Sequence, residues 1–249
     1  MKTQQVLGRH SAPFISDNRL PDCRAMSRFY QWIYDNPKQA RRLDRIWIIK
    51  LLLFFQDQRL ICWYLNQIEQ GSKVWQVANV YGDLICQVAR KIGQKGIFHL
   101  TDISATQIRR SKNKLNKYPW SSTMHTDATQ FSGNPPYDLI CSFFLLHEIP
   151  DQKKQELIDN MLNKLSADGK AIFIDYHKPA LWHPVRYILM CINRFLEPFS
   201  YALWQHEIKD FASCADAFTW TKHTMFGGVY QCVVAQPIYH HIEKLVSNH

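Results

Sequence analysis

The chain has 249 residues, 46% hydrophobic and 20% charged, enough to bury a full core in one large domain. Its seven cysteines form no CxxC pair, which argues against a disulfide framework and a structural zinc site and points to a reducing compartment. A formal net charge of +9 biases the protein toward a polyanion, either nucleic acid or an anionic membrane surface.

The N-terminal MKTQQVLGRH has no early apolar block, so secretion is not expected. Lys2, Arg9 and Arg19 with Ser11 and Ser16 leave a mitochondrial leader open. Residues 1–70 are expected to form a helical lid or membrane-contact segment. Within it, Arg41, Arg42, Arg45, Lys50 and Arg59 surround the apolar run IWIIKLLLFF, a mixture suited to anionic lipid headgroups. Phe29, Tyr30, Trp32, Tyr34, Trp63 and Tyr64 are candidates to line an apolar entrance, with ordinary packing as the alternative.

From Val74 onward, short β-branched or aromatic runs alternate with helix-periodic segments, the pattern of parallel βαβ units. Strands are predicted at 74–80, 96–103, 123–131, 137–146 and 169–176. Leu84, Ile85, Val88, Ala89 and Ile92 share one helical face that ends at Gly93, and Ser104 can cap the next helix. After Asp151 the stripe Leu157, Ile158, Met161, Leu162 and Leu165 predicts another helix. An apolar helical insertion is expected at 178–218. Its stretch from Leu181 to Trp204 is punctuated by Arg186 and Arg194, and buried core helices are the alternative to an interfacial role. Two strands around Gly227-Gly228 then close the sheet. No RNA-binding module appears, so nucleic acid is the weaker polyanion.

This order resembles the class I S-adenosylmethionine-dependent methyltransferase fold, an α/β Rossmann-like seven-stranded, mostly parallel sheet with an antiparallel last strand, here over residues 71–249. The resemblance implies where the cofactor sits. VWQVANVYGDL matches the loop that meets the methionine part, assigning Gln76, Val77, Ala78, Asn79, Tyr81 and Gly82. Asp102 with Ile103 ends the second strand, where a carboxylate receives the ribose hydroxyls. Asp127 and Ala128 stand beside the adenine, and Ser142 lies on the fourth strand. The loop departs from the pattern: Gln76 replaces an acid, and Ala78 and Val80 replace glycines that would allow close approach and positive φ.

VANVYGDL, SFFLLHEIP and IDYHKP together look like the rhodoquinone biosynthesis enzymes, relatives of the ubiquinone and menaquinone methyltransferases. That resemblance implies conversion of ubiquinone to rhodoquinone, with S-adenosylmethionine donating its amino group and a divalent metal, manganese, assisting, at the cytoplasmic face of an inner membrane or on the mitochondrial inner membrane. Conventional methyl transfer to a quinone or lipidic phenol is the alternative, and a binding protein without turnover the third. Tyr81, His147, Glu148, Asp175 and His177 are the candidate catalytic residues, with Glu148, Asp175 and His177 as candidate metal ligands. Asp175 follows the buried run AIFI, where an unpaired carboxylate is costly without a functional partner. His147 and Glu148 as helix starters, and His177 as a turn residue, are the structural alternatives.

Overall fold

A computed structural model describes residues 55–80, 82–133, 135–195 and 198–238. Seven strands form one sheet: β1 (Lys73–Gln76), β2 (Ile97–Asp102), β3 (Ser121–His125), β4 (Tyr137–Phe143), β5 (Leu165–Tyr176), β6 (Phe218–Met225) and β7 (Tyr230–Pro237). Their order is β3-β2-β1-β4-β5-β7-β6, and only β7 runs against its neighbours. This is the expected class I methyltransferase sheet. The chain moves outward from β1 through β2 to β3, then restarts on the other side at β4, so β1 and β4 flank the switch point where such sheets bind ligands.

Helices α1 (Asp57–Leu65), α2 (Leu84–Ile92), α3 (Ala105–Leu115), α4 (Asp151–Leu162), α5 (Val185–Phe195) and α6 (Ala202–Gln205) surround the sheet. Successive residues of a strand point to opposite faces, and the two buried clusters show it. Val74, Leu139 and Ile172 pack with α1 and α2, whereas Trp75, Ile140 and Phe173 pack with α4. Ile172 is fully buried on β5, between β4 and β7. An Ile172→Ala chain is expected to lose about 2–5 kcal/mol in urea unfolding; a loss below about 1 kcal/mol contradicts this packing.

Local polar contacts move several boundaries from their predicted places. β1 stops at Gln76, whose amide folds forward onto the carbonyl of Ala78 at 3.1 Å. β3 ends at His125, because the Asp127 carboxylate accepts from the Thr129 N–H at 2.9 Å and its hydroxyl at 2.8 Å, an Asx turn. β4 ends at Phe143, since Phe144 turns to φ +53°. α4 stops at Leu162, and Leu165 instead starts β5 opposite Tyr137. The Ser104 hydroxyl caps α3, accepting from the Gln107 N–H at 3.4 Å.

Candidate active site

The carboxyl ends of β1 and β2 make a polar cradle. Asp102 accepts from the N–H of Asn79 at 2.9 Å on one carboxylate oxygen and from the N–H of Ser104 at 2.7 Å on the other. Burial pushes its carboxyl above the usual range, an effect the two N–H groups partly oppose. Each oxygen keeps a lone pair for a hydroxyl donor. Ile103 beside it is 74% exposed and gives an apolar surface next to the carboxylate. Gln76 is fully buried, and with its nitrogen turned to Ala78 its Oε1 has no partner; nor has the buried hydroxyl of Ser142 on β4. Two orphaned polar atoms at the switch point fit a polar ligand group.

The glycine replacements are milder than the sequence suggests. Among the described residues, positive φ outside glycine occurs only at Phe55, Phe144 and Phe226, so Ala78 and Val80 need no glycine freedom. Gly82 does, at φ +87°, although a Cβ there would meet nothing within 4 Å. Val77 points into the core and its carbonyl accepts from the Thr101 hydroxyl at 2.7 Å. Tyr81 lies outside the described residues. Asp127 uses Oδ1 on its own turn, and Ala128 is buried with its carbonyl on the Asn160 amide at 2.7 Å.

A second cluster stands at the ends of β4 and β5. Leu146–Glu148 form one 3-10 turn. The N–H groups of Leu146 and His147 donate to Asp175 Oδ2 at 2.8 and 3.4 Å, while His147 Nδ1 meets Oδ1 at 2.8 Å and the Tyr176 N–H donates to Oδ1 at 2.7 Å. Asp175, 1% exposed, is therefore fully partnered, as a buried carboxylate requires. The Nδ1 contact sets the other imidazole nitrogen, Nε2, toward Glu148, 3.9 Å from Oε1. Rings of Phe144 and Tyr176 meet His147 edge-on, with centroids at 6.0 and 4.8 Å, and both touch Tyr230.

His177 stands apart from this pair. Its Nδ1 faces the Gly228 carbonyl at 3.0 Å, so Nε2 carries the lone pair, and the Lys222 ammonium lies 3.4 Å from it. Burial lowers its pKa, with Gly228 opposing. An imidazole facing an ammonium and a carboxylate already holding four hydrogen bonds are poor metal ligands. Among the described residues no group of three His, Cys, Asp or Glu is arranged to hold a metal ion. The predicted set Glu148, Asp175 and His177 does not fit manganese.

Helices α5 and α6 lie in the insertion, and its turn Pro198–Tyr201 packs against Leu146–Glu148. Leu181, Trp182, Tyr187, Ile188 and Met190 are exposed. Arg186 does not project between them; it donates to the Pro179 carbonyl at 2.6 Å and lies 5.7 Å from the Trp204 ring. No described helix is long and apolar enough to cross a membrane. The entrance reading fails for Tyr64, which is fully buried against Phe143, whereas Trp63 is half-buried near His223. Phe29, Tyr30, Trp32, Tyr34 and the run 46–54 lie outside the described residues. A surface cavity of about 600 Å³ lined by Gln70, Arg90 and Trp120 sits at the opposite edge of the sheet, away from both clusters.

Sequence reading missed two features. Lys154 is fully buried, its ammonium on Asp151 Oδ1 at 2.6 Å and on the Phe199 carbonyl at 3.0 Å, tying the insertion to α4. Only the i, i+3 acid in its sequence hinted at this. Asn79 is gripped by Gln107 and Ser111, whose signal was a pair of polar residues four apart on the inward face of α3.

Residues 80–171 match the family model described as a methyltransferase domain. Among curated proteins, the chain is similar to the ubiquinone/menaquinone biosynthesis C-methyltransferase UbiE of Idiomarina loihiensis, 27% identical over 117 residues, 45% of either chain. It is similar also to that of Pseudomonas paraeruginosa, 29% identical over 121 residues, 47% of this chain and 46% of that one. The alignments thus span less than half the length of these relatives. Among solved structures, an O-methyltransferase family protein from Burkholderia thailandensis superposes with TM-score 0.59 at 12% identity, covering 82% of this chain and 61% of that one. The pyocyanin biosynthetic protein PhzM does so with TM-score 0.58 at 15% identity, covering 84% and 61%. With the strand order above, these likenesses show that the chain has the class I S-adenosylmethionine-dependent methyltransferase fold.

Proposed function

We propose that the chain is an S-adenosylmethionine-dependent methyltransferase whose acceptor is a quinone-type ring or a lipidic phenol. The observation that carries this reading is the buried His147–Asp175 pair at the acceptor side of the switch point. Bound S-adenosylmethionine supplies an electrophilic methyl group. Asp102 receives the ribose hydroxyls, and Gln76 Oε1 and Ser142 Oγ are the open polar atoms for the amino-acid end. Asp175 holds the imidazole by Nδ1, so Nε2 takes the proton of an acceptor hydroxyl, and the Glu148 carboxylate beside it stabilises the imidazolium that results. Phe144 and Tyr176, backed by the buried ring of Tyr230, offer ring surface to a planar acceptor. The curated relatives, named for quinone C-methylation, support the acceptor class. A lipid acceptor would bring the exposed apolar residues of the insertion to a membrane surface as a peripheral contact.

One observation favours a second reading, amino transfer from the same cofactor to ubiquinone. Gln76 is neutral where an acid would hold an ammonium, so an uncharged, nucleophilic amine is less disfavoured there. Incubation with ubiquinone or its demethylated precursors and cofactor labelled separately in methyl and in nitrogen decides the matter. Methyl label in the quinone product supports the first reading, nitrogen label the second, and no transfer of either overturns both.

The cradle also predicts a pH dependence. A protonated Asp102 can no longer accept two hydroxyls, and its carboxyl titrates above the usual range. Calorimetric affinity for S-adenosylhomocysteine is therefore expected to fall on acidification, beginning at a higher pH than for an exposed aspartate, and to recover on return to neutral pH. A profile flat from pH 7 to about 4.5 contradicts this role.

A further inference from the structure

A helix that flanks a sheet is expected to turn apolar residues inward. α3 instead buries Gln107 (3% exposed) and Ser111 (1%) above Leu115 on its inner face. Buried amides and hydroxyls are costly unless bonded, so their partners say what this face is for. Both bond one residue, Asn79. Its Nδ2 donates to Gln107 Oε1 at 3.0 Å, its Oδ1 accepts from the Ser111 hydroxyl at 3.0 Å, and its backbone N–H donates to Asp102 at 2.9 Å. One turn further along α3, the Lys114 ammonium donates to the Gly82 carbonyl at 2.6 Å. Asn79 and Gly82 are thus each fastened from α3.

We propose that Gln107 and Ser111, acting through Asn79, are positioning residues that preset the β1–α2 crossing for the amino-acid end of the adenosyl cofactor. This rests on the cofactor reading above. A glycine-rich crossing takes its shape around the ligand; this one, with alanine and valine in two of the positions, is shaped beforehand by side-chain bonds, so less ordering is left for binding. Asp102 keeps its own anchor, the Ser104 N–H at 2.7 Å, so loosening the clamp acts on the amino-acid end before the ribose.

The test measures, by calorimetry on folded full-length protein, binding of S-adenosylhomocysteine and of 5′-methylthioadenosine, which keeps the ribose and base but lacks the amino-acid end. Gln107→Leu takes away the acceptor of the half-buried Asn79 amide and is expected to weaken S-adenosylhomocysteine about 10-fold to 100-fold, with 5′-methylthioadenosine changed less than about threefold. Ser111→Thr, which keeps the hydroxyl, is expected to bind better than the equally bulky Ser111→Val by about 10-fold. If Gln107→Leu does not fold, this Ser111 pair decides. Unchanged affinities in the variants, or equal losses for both ligands, overturn the proposal and leave α3 a merely structural role. A parent protein that binds neither ligand overturns the cofactor reading itself, and the clamp with it.

Discussion

With His147 replaced by asparagine, methyl transfer at neutral pH is expected to fall about 10²-fold to 10⁴-fold, the usual contribution of a positioned general base. Affinity for S-adenosylhomocysteine should stay within about threefold, because the imidazole belongs to the β4–β5 cluster and Asp102, the proposed ribose carboxylate, to β2. The substitution is cleaner than one at Asp175. That carboxylate accepts backbone N–H groups from Leu146, His147 and Tyr176 as well as the imidazole, so Asp175→Asn disturbs a buried turn along with the base. Full turnover in His147→Asn removes the general-base role, and a loss caused only by weaker cofactor binding relocates His147 to the cradle.

The second large effect is expected at Asp102. Hydrogen bonds to a charged group each contribute about 1.5–3 kcal/mol, and a carboxylate that receives two ribose hydroxyls makes two of them. Asp102→Ala should therefore weaken S-adenosylhomocysteine about 100-fold or more in calorimetry. The N–H groups of Asn79 and Ser104 also lose their acceptor, so a lower unfolding midpoint is expected alongside. Affinity within about threefold of the parent would place the nucleotide elsewhere on the sheet.

Much of the architecture was legible in the sequence because period and punctuation agree with it. The stripe Leu84 to Ile92 closes at Gly93, Ser104 caps α3, and Gly227 and Gly228 turn the last hairpin, each with positive φ. Strand ends were less legible, since they depend on side chains that fold back locally: Gln76 onto Ala78, Asp127 onto Thr129. The position of Asp102 at the end of β2 could be read from the sequence, since the strand run and the Ser104 cap that follows it agree there. The partners of Asp175 could not, because its bonds reach back 28 and 29 residues to a turn whose shape depends on Phe144 at φ +53°. The same limit misled the metal reading. Glu148, Asp175 and His177 are close in strand order, yet Lys222 on β6 faces His177 and takes it out of any shared site. Loss of glycines in VWQVANVYGDL suggested a crowded crossing, whereas the backbone shows ordinary φ at Ala78 and Val80 and a side-chain clamp from α3.

A crystal structure of the protein with S-adenosylhomocysteine tests the central claim most directly. The account predicts both ribose hydroxyls on the Asp102 carboxylate, the amino-acid end at Gln76 and Ser142, and the sulfur turned toward His147. A nucleotide bound away from Asp102, or one whose sulfur faces away from the β4–β5 cluster, contradicts it.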